Sequence, residues 1–124
     1  MKVLLSIKPE YVEKIIDGSK RFEFRKSNFR REGIKTIVIY ATMPIGKVIG
    51  EFEIADIITH SPDELWNKTK EYSGISEDFF QEYFKGKDKA IAFEVGSLKI
   101  YDRPMNLSEI ESNLKAPQSY RYLQ

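Results

Sequence analysis

The chain has 124 residues, of which 41% are hydrophobic and 13% aromatic, and this is the size of one compact domain spanning residues 1–124. It has no cysteine and a single histidine, which excludes disulfides and argues against a metal centre, so we expect no metal and no cofactor. No apolar run is long enough to span a membrane, and MKVLLSIKPE is too soon polar for a secretory signal. We therefore expect a cytoplasmic protein without a membrane partner or a disulfide-linked partner.

The net charge of +1 is distributed unevenly along the chain. Residues 1–35 contain ten Lys and Arg against five Asp and Glu, whereas residues 36–124 contain ten against fourteen. A basic segment on a nearly neutral domain favours local contact with a phosphate or another anion over a surface coated with nucleic acid. A solvated, lysine-rich surface is the alternative interpretation.

In the first half of the chain, leaving aside residues 18–25, the sequence pattern predicts three strands and one helix. VLLSIK is typical of a buried strand, and Pro9 suits the first turn of the helix that follows. Gly18 predicts a left-handed helix end. The run KTIVIYATM indicates a central strand, and KVIGEFEIADII alternates Phe52 and Ile54 inward with glutamates outward.

The second half predicts helices inserted between strands. Ser61, Pro62 and Glu64 form a helix start with a capping box, and SEDFFQEYFKG predicts a short helix whose aromatic face we expect in the core. KAIAFEV and LKIYDRP flank Gly96-Ser97, which suits a hairpin turn. Ser108 and Glu111 predict one more capped helix.

This order of elements predicts an α+β domain around a mixed or antiparallel sheet, since a doubly wound fold would need a helix after nearly every strand. A small, partly closed barrel hides strand edges economically in a chain of this length. The alternation predicts eight buried side chains: Phe22, Phe24, Ile37, Ile39, Phe52, Ile54, Ile91 and Phe93.

The segment GSKRFEFR, residues 18–25, is the most informative stretch. In a regular strand Arg21, Glu23 and Arg25 share one face and the two phenylalanines take the other. The charged row is either a surface salt-bridge ladder of little energetic value or the wall of a cleft. In a cleft, Glu23 accepts hydrogen bonds and Arg25 offers its planar donors to a phosphate, a carboxylate or a base edge.

The same segment resembles the GxKxxExR signature of the ASCH domain, a family of the PUA-like superfamily, through Gly18, Lys20, Glu23 and Arg25. The resemblance implies a small PUA-like β-barrel of mixed, mostly antiparallel strands with short helices inserted, and a cleft beside the first helix. It also implies RNA, a nucleoside or a nucleotide as partner. Strand parity places Lys20 opposite Glu23 and Arg25, so one cleft for all three requires an irregular start to the strand, which Gly18 permits.

Further candidate binding residues come from neighbouring segments. Ser6 and Lys8 share a face of the entry strand, and Tyr40 and Thr42 end the next strand, where a tyrosine either stacks on a base or fills the barrel mouth. The remaining candidates are basic residues, three in a loop expected to contact phosphate and one beside Pro104: Lys26, Arg30, Arg31 and Arg103.

Three functions stay open at this point. The first is a module that binds RNA or a nucleobase. The second is an amidohydrolase, because some ASCH proteins resemble this chain and deacylate N4-acylated cytidines with a lysine, a threonine and a glutamate. Lys20 and Glu71 match two of these residues, but Glu23 stands where the threonine is expected, so catalysis would have to use Glu23 or Glu71 as a general base. The third is a ribonuclease.

Overall fold

The computed structural model describes residues 1–124, which form six strands and four α-helices. The strands are β1 (Lys2–Ile7), β2 (Phe22–Arg25), β3 (Thr36–Ala41), β4 (Lys47–His60), β5 (Ala90–Met105) and β6 (Tyr120–Leu123). The helices are α1 (Pro9–Asp17), α2 (Pro62–Thr69), α3 (Glu77–Tyr83) and α4 (Leu107–Ile110), and a 3₁₀ turn (Lys70–Tyr72) follows α2. None of these helices has both the length and the apolar character needed to cross a bilayer.

The strands form one mixed sheet in the order β2-β5-β4-β3-β1-β6. Only β1 and β3 pair in parallel, and every other neighbouring pair is antiparallel. The sheet is a half-barrel with α1, α2 and α3 inserted along it, which confirms the α+β class and the PUA-like architecture. The two outermost strands are β2 and β6, and the site described below lies where these two ends of the sheet come together.

The main core lies between the strands and α1. Six of the eight side chains predicted to be buried are so, whereas Phe22 and Ile54 are only partly buried. Helix α1 covers this core with Val12 and Ile15, and it ends as predicted at Gly18, whose φ is 87°. Smaller apolar clusters lie beneath α4 and between β2, α2 and α3.

The predicted hairpin turn at Gly96-Ser97 is wrong. Strand β5 runs through both residues for 16 residues and pairs with the 14-residue β4, while α2 and α3 form the connection between the two strands. The glycine serves a different purpose, because a Cβ at Gly96 would stand 2.8 Å from the carbonyl oxygen of Glu53. It permits close approach of the strands where their register shifts.

The predicted capping box at Ser108 and Glu111 is also wrong, by two residues. Asn106 precedes α4, and its backbone N–H donates to Glu109 Oε2 at 2.7 Å. Ser108 lies within the helix and Glu111 follows it. The prediction at α2 is better, since Ser61 Oγ accepts a hydrogen bond from the backbone N–H of Glu64.

Candidate functional site

A cavity of about 370 Å³ opens where the two ends of the half-barrel approach each other. It is bounded by the end of β1, by α1, by the segment that leads into β2 and by α3. Six residues predicted for the site line it together: Ser6, Lys8, Lys20, Glu23, Arg25 and Thr42.

A buried carboxylate between two cations forms the floor of this cavity. Glu23 is 5% exposed, with Oε2 at 3.1 Å from Arg25 Nη2 and Oε1 at 3.7 Å from Lys20 Nζ. Arg25 Nη2 also donates to the carbonyl of Ser6 at 2.9 Å, and its Nη1 donates to Ser119 Oγ at 3.2 Å. Arg25 thus links the edge strand β2 to β1 and to the segment before β6, and it fixes the Glu23 carboxylate in one orientation.

Lys20 is almost completely buried, with 1% of its surface exposed. Its Nζ donates to the carbonyl of Ser73 at 2.7 Å and lies 5.3 Å from the ring centre of Tyr11 and 4.9 Å from that of Phe24. Desolvation by burial lowers the pKa of Lys20, although the nearby Glu23 opposes the shift. The site therefore holds an ammonium group that releases its proton more readily than an ordinary lysine.

The segment before β2 explains how Lys20 joins Glu23 and Arg25. The strand begins only at Phe22, so strand parity does not apply to Lys20. The backbone N–H of Lys20 donates to Lys14 at 3.0 Å, and that of Arg21 donates to Tyr72 at 2.8 Å. This is the irregular start that the sequence required, and it follows directly from the left-handed Gly18.

Gly74 packs directly against the stem of Lys20. It has a φ of +70°, and a Cβ at this position would stand 2.6 Å from Lys20 Cβ. The neighbouring Lys14 Nζ donates to the Gly74 carbonyl at 3.0 Å and holds the loop in place. The position thus requires glycine for both conformation and space.

An aromatic wall, which sequence reasoning missed, faces the charged floor. Tyr11, Phe79 and Tyr83 all line the cavity, so the expectation that the aromatic face of α3 lies in the core holds only for Phe80 and Phe84. The Tyr11 and Phe79 ring centres are 6.2 Å apart, those of Phe79 and Tyr83 are 6.4 Å apart, and Phe79 is 41% exposed. The sequence does contain a signal for this wall, because the adjacent residues Phe79 and Phe80 cannot point to the same side of one helix. The lining residues that were not predicted also include Ile7, Phe24, Ile75 and Gln118.

Two lysines lie against this aromatic wall. Lys8 Nζ lies 6.0 Å from the ring centre of Phe79, and Lys26 Nζ lies 4.7 Å from that of Tyr83. Both lysines are exposed, and neither has a carboxylate within 4.0 Å. Their ammonium groups are available to an anion beside the cavity.

The structure places the other predicted residues away from the cavity. Tyr40 is 5% exposed and packs in the apolar cluster beneath α4, so its ring belongs to the core and does not line the cavity. Glu71 is exposed in the 3₁₀ turn and does not line the cavity. Arg103 pairs with Glu109 at 2.8 Å, and Arg30 and Arg31 lie beside Tyr122.

The proposed set of a lysine and two glutamates is thus not assembled as one site. Lys20 and Glu23 share the cavity, but Glu71 lies on the outside of the loop whose Ser73 carbonyl contacts Lys20. No group of three or more His, Asp and Glu side chains is placed to hold a metal ion.

Comparison with known proteins points to one family. Residues 5–99 match the model of the ASCH domain. A curated relative named an ASCH domain-containing ribonuclease, from Zymomonas mobilis subsp. mobilis, is 33% identical over 98% of this chain and 84% of its own length. Relatives that match over 39% of their own length are named large ribosomal subunit protein uL22 of Ureaplasma parvum and are 29% identical over 98% of this chain.

Solved structures agree. The crystal structure of ASCH from Zymomonas mobilis covers 99% of this chain and 87% of its own, with a TM-score of 0.88 and 32% identity. The N-terminal domain of Staphylothermus marinus McrB has a TM-score of 0.51 and 14% identity over 91% of this chain and 80% of its own, and it shares the fold alone. With Lys20, Glu23 and Arg25 of the GxKxxExR signature gathered in one cavity, these matches show that the chain belongs to the ASCH domain family.

Proposed function

We propose that this protein binds single-stranded RNA by taking one base into the cavity. The observation that carries the proposal is the pairing of an aromatic wall with a buried, hydrogen-bonding charged floor. Bases that leave a stack are held by aromatic faces and read by hydrogen bonds on their edges. A volume of about 370 Å³ falls within the roughly 300–1,000 Å³ of small-molecule sites.

The floor offers both hydrogen-bond donors and hydrogen-bond acceptors to a base edge. The Glu23 carboxylate accepts from amino or imino groups, and the Arg25 guanidinium and Lys20 ammonium donate to a carbonyl oxygen or a ring nitrogen. Because Arg25 and Lys20 hold Glu23 before any ligand arrives, little ordering cost remains for binding. Lys8 and Lys26, beside the wall, are positioned to contact the phosphate of the same nucleotide.

Cleavage of RNA is a second candidate function. The observation in its favour is the name of the curated relative, an ASCH domain-containing ribonuclease that matches 98% of this chain. Deacylation of N4-acylated cytidines is a third candidate, favoured by the lowered pKa of Lys20, which increases the fraction of free amine that can accept a proton near neutral pH. Glu23 in place of a threonine, and Glu71 outside the cavity, weigh against this third function.

The first experiment titrates ¹⁵N-labelled protein with the four ribonucleoside monophosphates and follows amide shifts by NMR. We expect shifts confined to residues around the cavity, for example at Thr42 and Ile75. Arg25→Ala should weaken binding by roughly 10-fold or more, because a charge-assisted hydrogen bond contributes about 1.5–3 kcal/mol. Lys87→Ala serves as the control, since Lys87 lines a separate polar cavity. Shifts that avoid the cavity, or that Arg25→Ala leaves unchanged, would overturn the proposal.

The enzymatic candidates are tested with the same protein. Incubation with a labelled single-stranded RNA reports cleavage, and incubation with N4-acetylcytidine reports release of acetate. We expect binding without acetate release. Acetate release that Lys20→Met abolishes and Lys87→Ala leaves intact would replace the binding proposal with the hydrolase.

A further inference from the structure

Strand β6 leads directly away from the cavity. Gln118 lines the cavity, Ser119 accepts from Arg25, and the strand continues beside β1 with Tyr120 opposite Leu5 and Tyr122 opposite Val3. At roughly 3.3 Å per residue, the path from Gln118 to Tyr122 covers about 13 Å. The far end of this path carries the basic loop between β2 and β3.

Arg30 and Arg31 form a fixed platform with Tyr122. The backbone N–H groups of both arginines donate to Tyr122 Oη, at 2.9 and 3.1 Å, and the Arg31 guanidinium lies 4.5 Å from the centre of the Tyr122 ring. Phe29 anchors the loop by stacking on Phe93, with ring centres 4.8 Å apart. The two guanidinium groups are therefore presented on rigid backbone.

Three of the four remaining arginines form ion pairs, and the fourth, Arg21 in the segment before β2, has its guanidinium 4.2 Å from the ring centre of Tyr72. Arg25, Arg103 and Arg121 each lie within 4.0 Å of a glutamate oxygen. Arg30 and Arg31 have no carboxylate that close, and both are exposed. Arg31 stacked on Tyr122 presents a guanidinium plane on which a base can stack, with charge for a phosphate beside it.

We infer that the ligand is an RNA strand of several nucleotides that runs from the cavity along β6 to the platform of Arg30, Arg31 and Tyr122. The inference rests on the proposed function and extends it from one nucleotide to a strand. A stacked strand rises roughly 3.4 Å per nucleotide, so about four nucleotides span the path. One base occupies the cavity, and a base or phosphate about three nucleotides away meets Arg31.

The test compares a ribonucleoside monophosphate with a fluorescein-labelled tetraribonucleotide, the first by NMR titration and the second by fluorescence anisotropy. We expect the tetranucleotide to bind at least 10-fold more tightly. Arg30→Ala/Arg31→Ala should weaken tetranucleotide binding roughly 5- to 150-fold, since one stacked base contributes about 1–3 kcal/mol. It should reduce the salt dependence by about 0.7 per lost phosphate contact and leave monophosphate binding unchanged.

Arg121→Ala is the matched control, because Arg121 lies on the same strand but on its opposite face and pairs with Glu111. It should leave both ligands unaffected. A tetranucleotide that loses affinity in Arg25→Ala but not in the platform variant would overturn this inference and spare the proposed function. If neither variant changes its binding, both are overturned.

Discussion

The cavity floor and the Arg30–Arg31 platform are both charged, and the chain brings charge to each in a different way. At the floor, Lys20, Glu23 and Arg25 are mostly hidden from water and satisfy one another. At the platform, two exposed arginines are held through their backbone and have no charged partner. The floor is therefore tied to the stability of the fold, whereas the platform can change at little cost to folding.

Removing Glu23 should give the largest effect on folding. Glu23→Ala leaves Arg25 and Lys20 buried without their counter-charge, which costs about 3–5 kcal/mol in comparable buried pairs. We expect about 3 kcal/mol, because Lys20 can respond by losing its proton. Urea denaturation followed by circular dichroism measures this loss.

Glu13→Ala is the matched control for this change, since Glu13 is exposed on α1 and alanine favours a helix. Its free energy of unfolding should stay within about 0.5 kcal/mol of the wild type. If both variants unfold at the same urea concentration, the floor is not the stability-linked region that its burial indicates.

A pH series should show a smaller effect that is specific to Lys20. Burial lowers the pKa of Lys20 in the folded state below its usual 10.5, so between the two values the unfolded chain binds more protons than the folded one. The free energy of unfolding should therefore rise with pH through this window. The difference in stability between wild type and Lys20→Met, measured from about pH 7 to about pH 10, isolates this contribution.

Other titrating groups cancel in that difference. Tyr101, for example, hydrogen-bonds to Glu51, and burial first and this bond second raise its pKa to about 12. A wild-type stability that falls relative to Lys20→Met as pH rises would mean that Glu23, rather than burial, controls Lys20.

The platform should give the smallest effect on stability. Arg30→Ala/Arg31→Ala removes two exposed side chains, while the backbone N–H groups keep their hydrogen bonds to Tyr122 Oη. The free energy of unfolding should therefore change by less than about 0.5 kcal/mol per residue. Thermal unfolding measures this directly. A loss as large as that of Glu23→Ala would erase the contrast between the two regions.

Much of the fold could be predicted because it depends on local sequence patterns. The alternation of apolar and polar residues predicted most of the strands, and Pro9 and Gly18 predicted the two ends of α1. The hairpin at Gly96 failed because turn chemistry and close strand approach both select glycine, and only the length of the partner strand separates them.

The site was predicted in part for a related reason. Six cavity residues could be named from strand parity and the GxKxxExR signature, which reports on one short stretch of chain. The aromatic wall comes from α1 and from α3, which lies far along the sequence, and its residues have the same apolar spacing as core residues. Likewise, the separation of Lys26 from Arg30 and Arg31 depends on Phe29 turning inward between them.

The close approach of Gly74 to Lys20 means that the ASCH signature of this chain depends on a residue outside the GxKxxExR stretch. The GxKxxExR residues are contiguous in sequence, yet the lysine fits only because a residue 54 positions later has no side chain. A Cβ at position 74 would meet the Lys20 Cβ itself, so a shorter side chain at position 20 would not relieve the contact, and the left-handed backbone at Gly74 disfavours any other residue in its own right. In this chain the burial of Lys20 therefore depends on a glycine that the contiguous GxKxxExR stretch does not contain.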